Sequence, residues 1–222
     1  MQDGQRVSIV IPAKNEAANI ASVIEGCKAY GDEILVVDGH STDGTRAVAE
    51  GLGARVVLDN GKGKGDGIRV AAQAVQGDIV VFIDADGSHD PNDIPRLLRP
   101  ILEGEADHVS GSRLLGGSSE LHGTFNECFR LMGSSLITAF INWRFGVCLS
   151  ESQNGFRAIR TEVLRRLDLR ENITTIEQEM IMKTLKKGYR MAEEPAHEYK
   201  RKSGTSNIRL KKVAFRYVYT MF

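Results

Sequence analysis

The sequence lacks any run of about 18 apolar residues, so no segment is expected to cross a bilayer as a helix. It also has little cysteine. Cys27, Cys128 and Cys148 are odd in number and show neither CxxC nor zinc-ligand spacing. That argues against a disulfide framework or a thiolate metal centre. With no signal-peptide pattern before the first strand, it points to the cytosol. Net charge is missing too: 29 basic and 29 acidic residues cancel. No bulk field attracts nucleic acid, so any anionic ligand must be held by local groups. Internal repeats, low-complexity segments and a GxxxxGK[ST] phosphate loop are likewise absent.

What is present is an ordinary apolar fraction, 41%, enough for the core of one α/β domain. Short β-branched runs at Val7–Ile11, Glu33–Val37, Ala54–Leu58 and Asp78–Ile83, and a weaker one at His108–Gly111, read as strands. Between them, Asn15–Tyr30, Thr45–Leu52, Gly67–Val75 and Asp90–Leu102 read as helices, the last with Pro91 in its first turn. This alternation predicts a mostly parallel sheet with helices on both faces. From Leu114 to about Ser150 the chain turns helical with apolar patches, and Glu177–Lys187 reads as one more helix.

In doubly wound sheets ligands bind beyond the carboxyl ends of the strands. Three polar clusters fall there: Pro12–Glu16, Asp38–Gly44 and Asp84–Asp86. Any one of them serves equally well as a helix-capping loop; three at one sheet edge suggest a site. Asp84 and Asp86, one residue apart after the most apolar strand, repel each other unless a cation lies beside them. Mg2+ or Mn2+ suits such oxygen ligands and can bridge to a diphosphate. The glycine-rich, basic Asn60–Gly67 stretch precedes a helix, so it reads either as a phosphate cradle or as a plain surface loop.

Taken in order, PAKNEA, VVDGHSTDGT, GKG, VVFIDADGSHDP, GSR and QNGFRA resemble the family-2 glycosyltransferases of GT-A fold. The resemblance is strongest to the dolichyl-phosphate mannose synthase-like branch, and it covers about residues 7–207. It implies a GT-A catalytic domain over residues 1–207, with residues 208–222 as an amphipathic, membrane-proximal tail. It further implies that Pro12 and Glu16 line the base and ribose pocket, that Asp38 reaches the base, and that Lys64 belongs to the family's GKG loop. Asp84 and Asp86 would hold the nucleotide diphosphate through the metal, with Asp86 counted among the catalytic residues. Arg113 and Arg201 would bind an acceptor phosphate, and Glu179 would stand in the acceptor-side helix. Three departures stand out: Gly39 replaces a second acid, Ser88 replaces a glutamine that ligates metal, and Asn207 replaces a lysine.

The implied reaction is an inverting transfer of a hexose or N-acetylhexosamine from a UDP- or GDP-sugar to a polyprenyl phosphate at the cytosolic membrane face. QNGFRA tilts the donor toward UDP. A phosphate acceptor needs positioning, which arginines supply. A hydroxyl acceptor needs a base, for which Glu177 or Glu179 would serve. Residues 208–222 interleave Arg209, Lys211, Lys212 and Arg216 with aromatics, a pattern suited to an anionic lipid surface. The apolar stretch Leu136–Trp143 fits a lipid surface, a homodimer interface or the core. Three rival readings remain: transfer to a saccharide hydroxyl, a sugar nucleotidyltransferase, and a non-catalytic membrane-surface module.

Overall fold

The computed structural model describes residues 4–119 and 125–200. Within them a seven-stranded sheet runs in the order β3-β2-β1-β4-β6-β5-β7. The strands are β1 (Val7–Ala13), β2 (Glu33–Asp38), β3 (Arg55–Leu58), β4 (Ile79–Phe82), β5 (His108–Ser112), β6 (Arg157–Arg160) and β7 (Met191–Pro195). The helices are α1 (Ile20–Cys27), α2 (Thr45–Gly51), α3 (Lys64–Ala74), α4 (Ile94–Leu102), α5 (Arg113–Gly116), α6 (Phe125–Phe145), α7 (Thr161–Arg166) and α8 (Ile176–Lys186). The first four strands pair in parallel, and β7 is parallel to β5; β6 runs against both β4 and β5. The fold is the mostly parallel α/β sheet that the sequence pattern predicts.

Strand alternation splits the core in two. Ile9, Ile11, Ile79, Val81 and Ile83 join one apolar cluster with residues of α1 and α4. Val10, Leu35, Val37, Val80 and Phe82 join a second with residues of α3, α7 and α8. Each fully buried Ile or Val contributes on the order of 1.5–3 kcal/mol, so the central strands are the anchored part of the sheet. Cys27 lies in the first cluster, where burial pushes its thiol up to about 12, and it is inert.

The structure departs from the sequence reading at several elements and narrows it at α6. The first helix begins at Ile20 rather than Asn15, because residues 15–17 bond across to the loop after β2 instead of along their own helix. β6 and β7 are absent from that reading. β6 is four residues long with an arginine at each end, and β7 is a half-buried, glutamate-bearing edge strand, so neither carries a clean apolar alternation. Finally, α6 buries Thr138 and Ile141 but exposes Met132, Leu136 and Trp143, the last two at 71% and 79%. Residues 208–222 and Arg201 lie outside the described residues.

Candidate active site

Register brings the three polar clusters to one edge. Ala13 pairs with Asp38 across β1 and β2, and the amide of Ile83 donates to the carbonyl of Val10, carrying the end of β4 alongside β1. The first two loops are stitched together. Asn15, at φ 58°, receives the Thr42 amide on its side chain at 2.8 Å while its own amide donates to Ser41 Oγ at 2.8 Å. The Glu16 amide donates to Thr45 Oγ1 at 2.8 Å, and its carboxylate accepts from Asn19 at 2.8 Å. Pro12, half-buried, lies opposite Val37. Asp38 is fully buried and accepts from the Ser41 amide and, at 2.9 Å, from Arg46. Burial works to raise its pKa, but the bonds from Ser41 and Arg46 outweigh it and hold the carboxyl below its usual range.

Beyond β4 the side chains close into a charged cluster. Lys64 Nζ stands 2.7 Å from Asp84 Oδ1 and 2.7 Å from Glu177 Oε1. Burial opposes its charge, yet Asp84 and Glu177 raise its pKa, so it stays an ammonium. Lys64 opens α3 and Glu177 lies in the first turn of α8, so two helix starts meet at the tip of β4. The packing there is tight: a Cβ on Gly155 would fall 2.9 Å from both Lys64 Nζ and Asp84 Oδ2, so these side chains would have to shift. Beneath the cluster lies Arg157, 1% exposed, which donates to the carbonyls of Glu177 (3.1 Å) and Asn154. Asp86, 6% exposed, accepts from both the amide (3.0 Å) and the hydroxyl (2.7 Å) of Ser88. Ser88 thus orients the carboxylate.

His89 completes the group. It stacks on Phe156, and its Nε2 is 4.0 Å from Asp84 Oδ2. Burial lowers its pKa against the pull of Asp84, and its buried Nδ1 has no hydrogen-bond partner. Among the described residues no three His, Cys, Asp or Glu side chains form a closed metal cage. Two carboxylates at a strand tip, one of them oriented by a hydroxyl, are what a Mg2+- or Mn2+-type ion takes when phosphate oxygens and water fill its other positions. The donor chemistry therefore fits such an ion. A cleft of about 550 Å3 opens at the same turn, between Gly87–Pro91 on one side and Ser119, Tyr199 and Lys200 on the other.

Two residues expected on the acceptor side have partners within the chain. Arg113 is bound by Glu151 (2.6 and 2.9 Å) and by Glu198 (3.2 Å), so two carboxylates already hold its guanidinium. Glu179 accepts the amides of Arg170 and Glu171 at 3.0 and 2.9 Å and pairs with Lys183 at 2.8 Å. It is Glu177, two residues earlier, that reaches the Lys64–Asp84 pair. The GKG glycines also meet a packing demand. The Gly65 amide donates to the carbonyl of Asn172 at 2.9 Å, and a Cβ there would lie 2.2 Å from the carbonyl oxygen of Glu171. Close backbone packing is what requires glycine. Sequence reading did not single out Gly155, Arg157 or His89, although QNGFRA contains the first two and VVFIDADGSHDP the third.

The family model for glycosyl transferase family 2 matches residues 8–168. Glycosyltransferase AglJ of Haloferax volcanii is 34% identical over 201 residues, covering 90% of this chain; the chain spans 65% of that relative's length. The dolichyl-phosphate hexose transferase of the same organism is 29% identical over 208 residues, covering 91% of this chain and 86% of its own. Glucosyl-3-phosphoglycerate synthase from Mycobacterium tuberculosis, solved with Mn2+, UDP and glucosyl-3-phosphoglycerate, superposes with a TM-score of 0.75 at 26% identity. That match covers 98% of this chain and 79% of the synthase. The same synthase has been solved with Mg2+ and UDP. The chain belongs to glycosyl transferase family 2, where it resembles the dolichyl-phosphate mannose synthase-like branch.

Proposed function

We propose that this glycosyltransferase moves a hexose or N-acetylhexosamine from a nucleotide diphosphate sugar to a polyprenyl phosphate at a membrane surface, with inversion at the anomeric carbon. The observation that carries the donor half is the meeting of Asp84, Lys64 and Glu177 at the end of β4, with the buried Asp86 two residues further on. Similarity to a dolichyl-phosphate hexose transferase supports the acceptor half, as do the basic and aromatic residues of the tail. No helix among the described residues is long and apolar enough to cross a membrane. Attachment is read as peripheral, through the basic and aromatic residues 208–222.

Pro12, Glu16 and Asp38 flank the pocket for the nucleoside, and Asp84 and Asp86 would hold Mg2+ or Mn2+. When bound, that ion neutralises charge gathering on the departing diphosphate. Lys64 supplies a further positive charge at the same place, and Arg157 below keeps the Asn154–Phe156 and Glu177 backbones in register. The acceptor enters by the cleft past Tyr199 and Lys200, with Arg201 as the arginine that the resemblance assigns to its phosphate.

A second reading, transfer to a hydroxyl, is favoured by one observation: Arg113 is already bound by Glu151 and Glu198, which leaves this wall acidic. Glu177 would then be the base. The test offers the protein Mn2+, a polyprenyl phosphate and labelled UDP- or GDP-sugars. Label entering the organic phase, with a loss of at least about a hundredfold in Asp86→Ala, is the expected result. Nucleotide release only with water-soluble sugar acceptors would turn the assignment to the hydroxyl reading.

A further inference from the structure

We propose that Lys64 is a built-in counter-cation that keeps the divalent metal from Asp84 until a nucleotide diphosphate arrives, so that metal and nucleotide bind as a coupled pair. This rests on the assignment of Asp84 and Asp86 as the metal-holding carboxylates. Lys64 Nζ is at ion-pair distance from both Asp84 and Glu177, 2.7 Å each, so one lone-pair face of Asp84 is taken by an ammonium. The arrangement is rigid around it. The Gly155 backbone packs closely on one side, Gly65 is locked to Asn172, and Arg157 holds the carbonyl of Glu177.

Charge accounting gives the coupling. Lys64 and Arg157 bring two fixed cations to the carboxylates of Asp84 and Glu177. A divalent ion added alone brings two more positive charges beside these cations, and it must displace or repel the ammonium next to Asp84. A diphosphate brings negative charge that offsets this repulsion. It offers Lys64 a second anionic partner and gives the ion oxygen ligands the protein lacks. Each ligand therefore raises the affinity of the other, and by linkage the factor is the same in both directions.

The experiment follows Mn2+ by the loss of its free electron-paramagnetic-resonance signal, with and without UDP and with no sugar donor or acceptor present, after correction for the Mn2+–UDP complex measured without protein. Wild type is expected to bind Mn2+ at least about tenfold tighter with UDP than without. Nucleotide-free Lys64→Met is expected to bind Mn2+ about tenfold tighter than nucleotide-free wild type, and its gain from UDP shrinks correspondingly. Mn2+ affinity in nucleotide-free Lys64→Met that is equal to or below wild type would overturn the proposal. Lys64→Gln gives the same comparison if Lys64→Met loses its circular-dichroism spectrum. Equal Mn2+ affinity of wild type with and without UDP overturns the proposal without any variant. Absence of Mn2+ binding by wild type even with UDP removes the underlying site assignment as well.

Discussion

Gly155 occupies a position where one methyl group has two charged neighbours. A Cβ there would lie 2.9 Å from Lys64 Nζ and Asp84 Oδ2, and 3.3 Å from Asp84 Cγ. Both contacts are side-chain ends, so they turn aside, and the Lys64–Asp84 pair leaves its present geometry. Gly155→Ala is therefore expected to fold with a melting temperature close to wild type while binding Mn2+ and UDP about tenfold more weakly, read by calorimetric titration. Unchanged binding would place Asp84 outside the metal site. At this scale the sequence was informative about Asp84 and Asp86, because two acids after an apolar strand are a local pattern. It was silent on Glu177 as the partner of Lys64, since the pair is 113 positions apart and no spacing rule joins them.

The two glutamates at the start of α8 look alike in sequence, and only their contacts separate them. Glu177 faces the charged cluster, whereas Glu179 fastens residues 170–171 to the helix. That segment is clamped from the other side by Arg69, which donates to the Glu171 carbonyl and the Asn172 side chain, and by the Gly65 amide. α8 and α3 are thus joined through residues 170–172, and the joint sets where Lys64 begins. Glu179→Ala is expected to cost about 1–3 kcal/mol in urea unfolding, because it strands two backbone amides. Glu177→Ala should lower transfer activity far more than stability. If the two effects are reversed, the roles assigned here to the two side chains are reversed as well. The strands and helices of the parallel half were legible because each carries a clean apolar period. β6 and β7 were not, since a short strand between antiparallel neighbours and a charged edge strand are defined by their partners rather than by their own residues.

Across the whole molecule, the sheet is tied to α8 through a histidine that the catalytic reading does not use. His108, fully buried in β5, meets Thr184 Oγ1 through Nδ1 at 2.9 Å, and its buried Nε2 has no partner. Burial, reinforced by the nearby Arg157 cation, pushes its pKa well below the ordinary histidine range. The folded protein therefore holds this imidazole neutral, while in the unfolded chain it takes up a proton near pH 6.5, roughly the free value. Between those two values the unfolded state binds more protons, so stability rises with pH. The contribution is complete above about pH 6.5 and is lost as the pH falls toward the folded value, at up to about 1.4 kcal/mol per pH unit. Urea unfolding of wild type from about pH 7.5 down to about pH 5 should show that decline. His108→Gln, which does not titrate, should start less stable at neutral pH and lose less as the pH falls. If its decline matches wild type, the proton is taken up elsewhere, and His108 remains only a packing residue between β5 and α8.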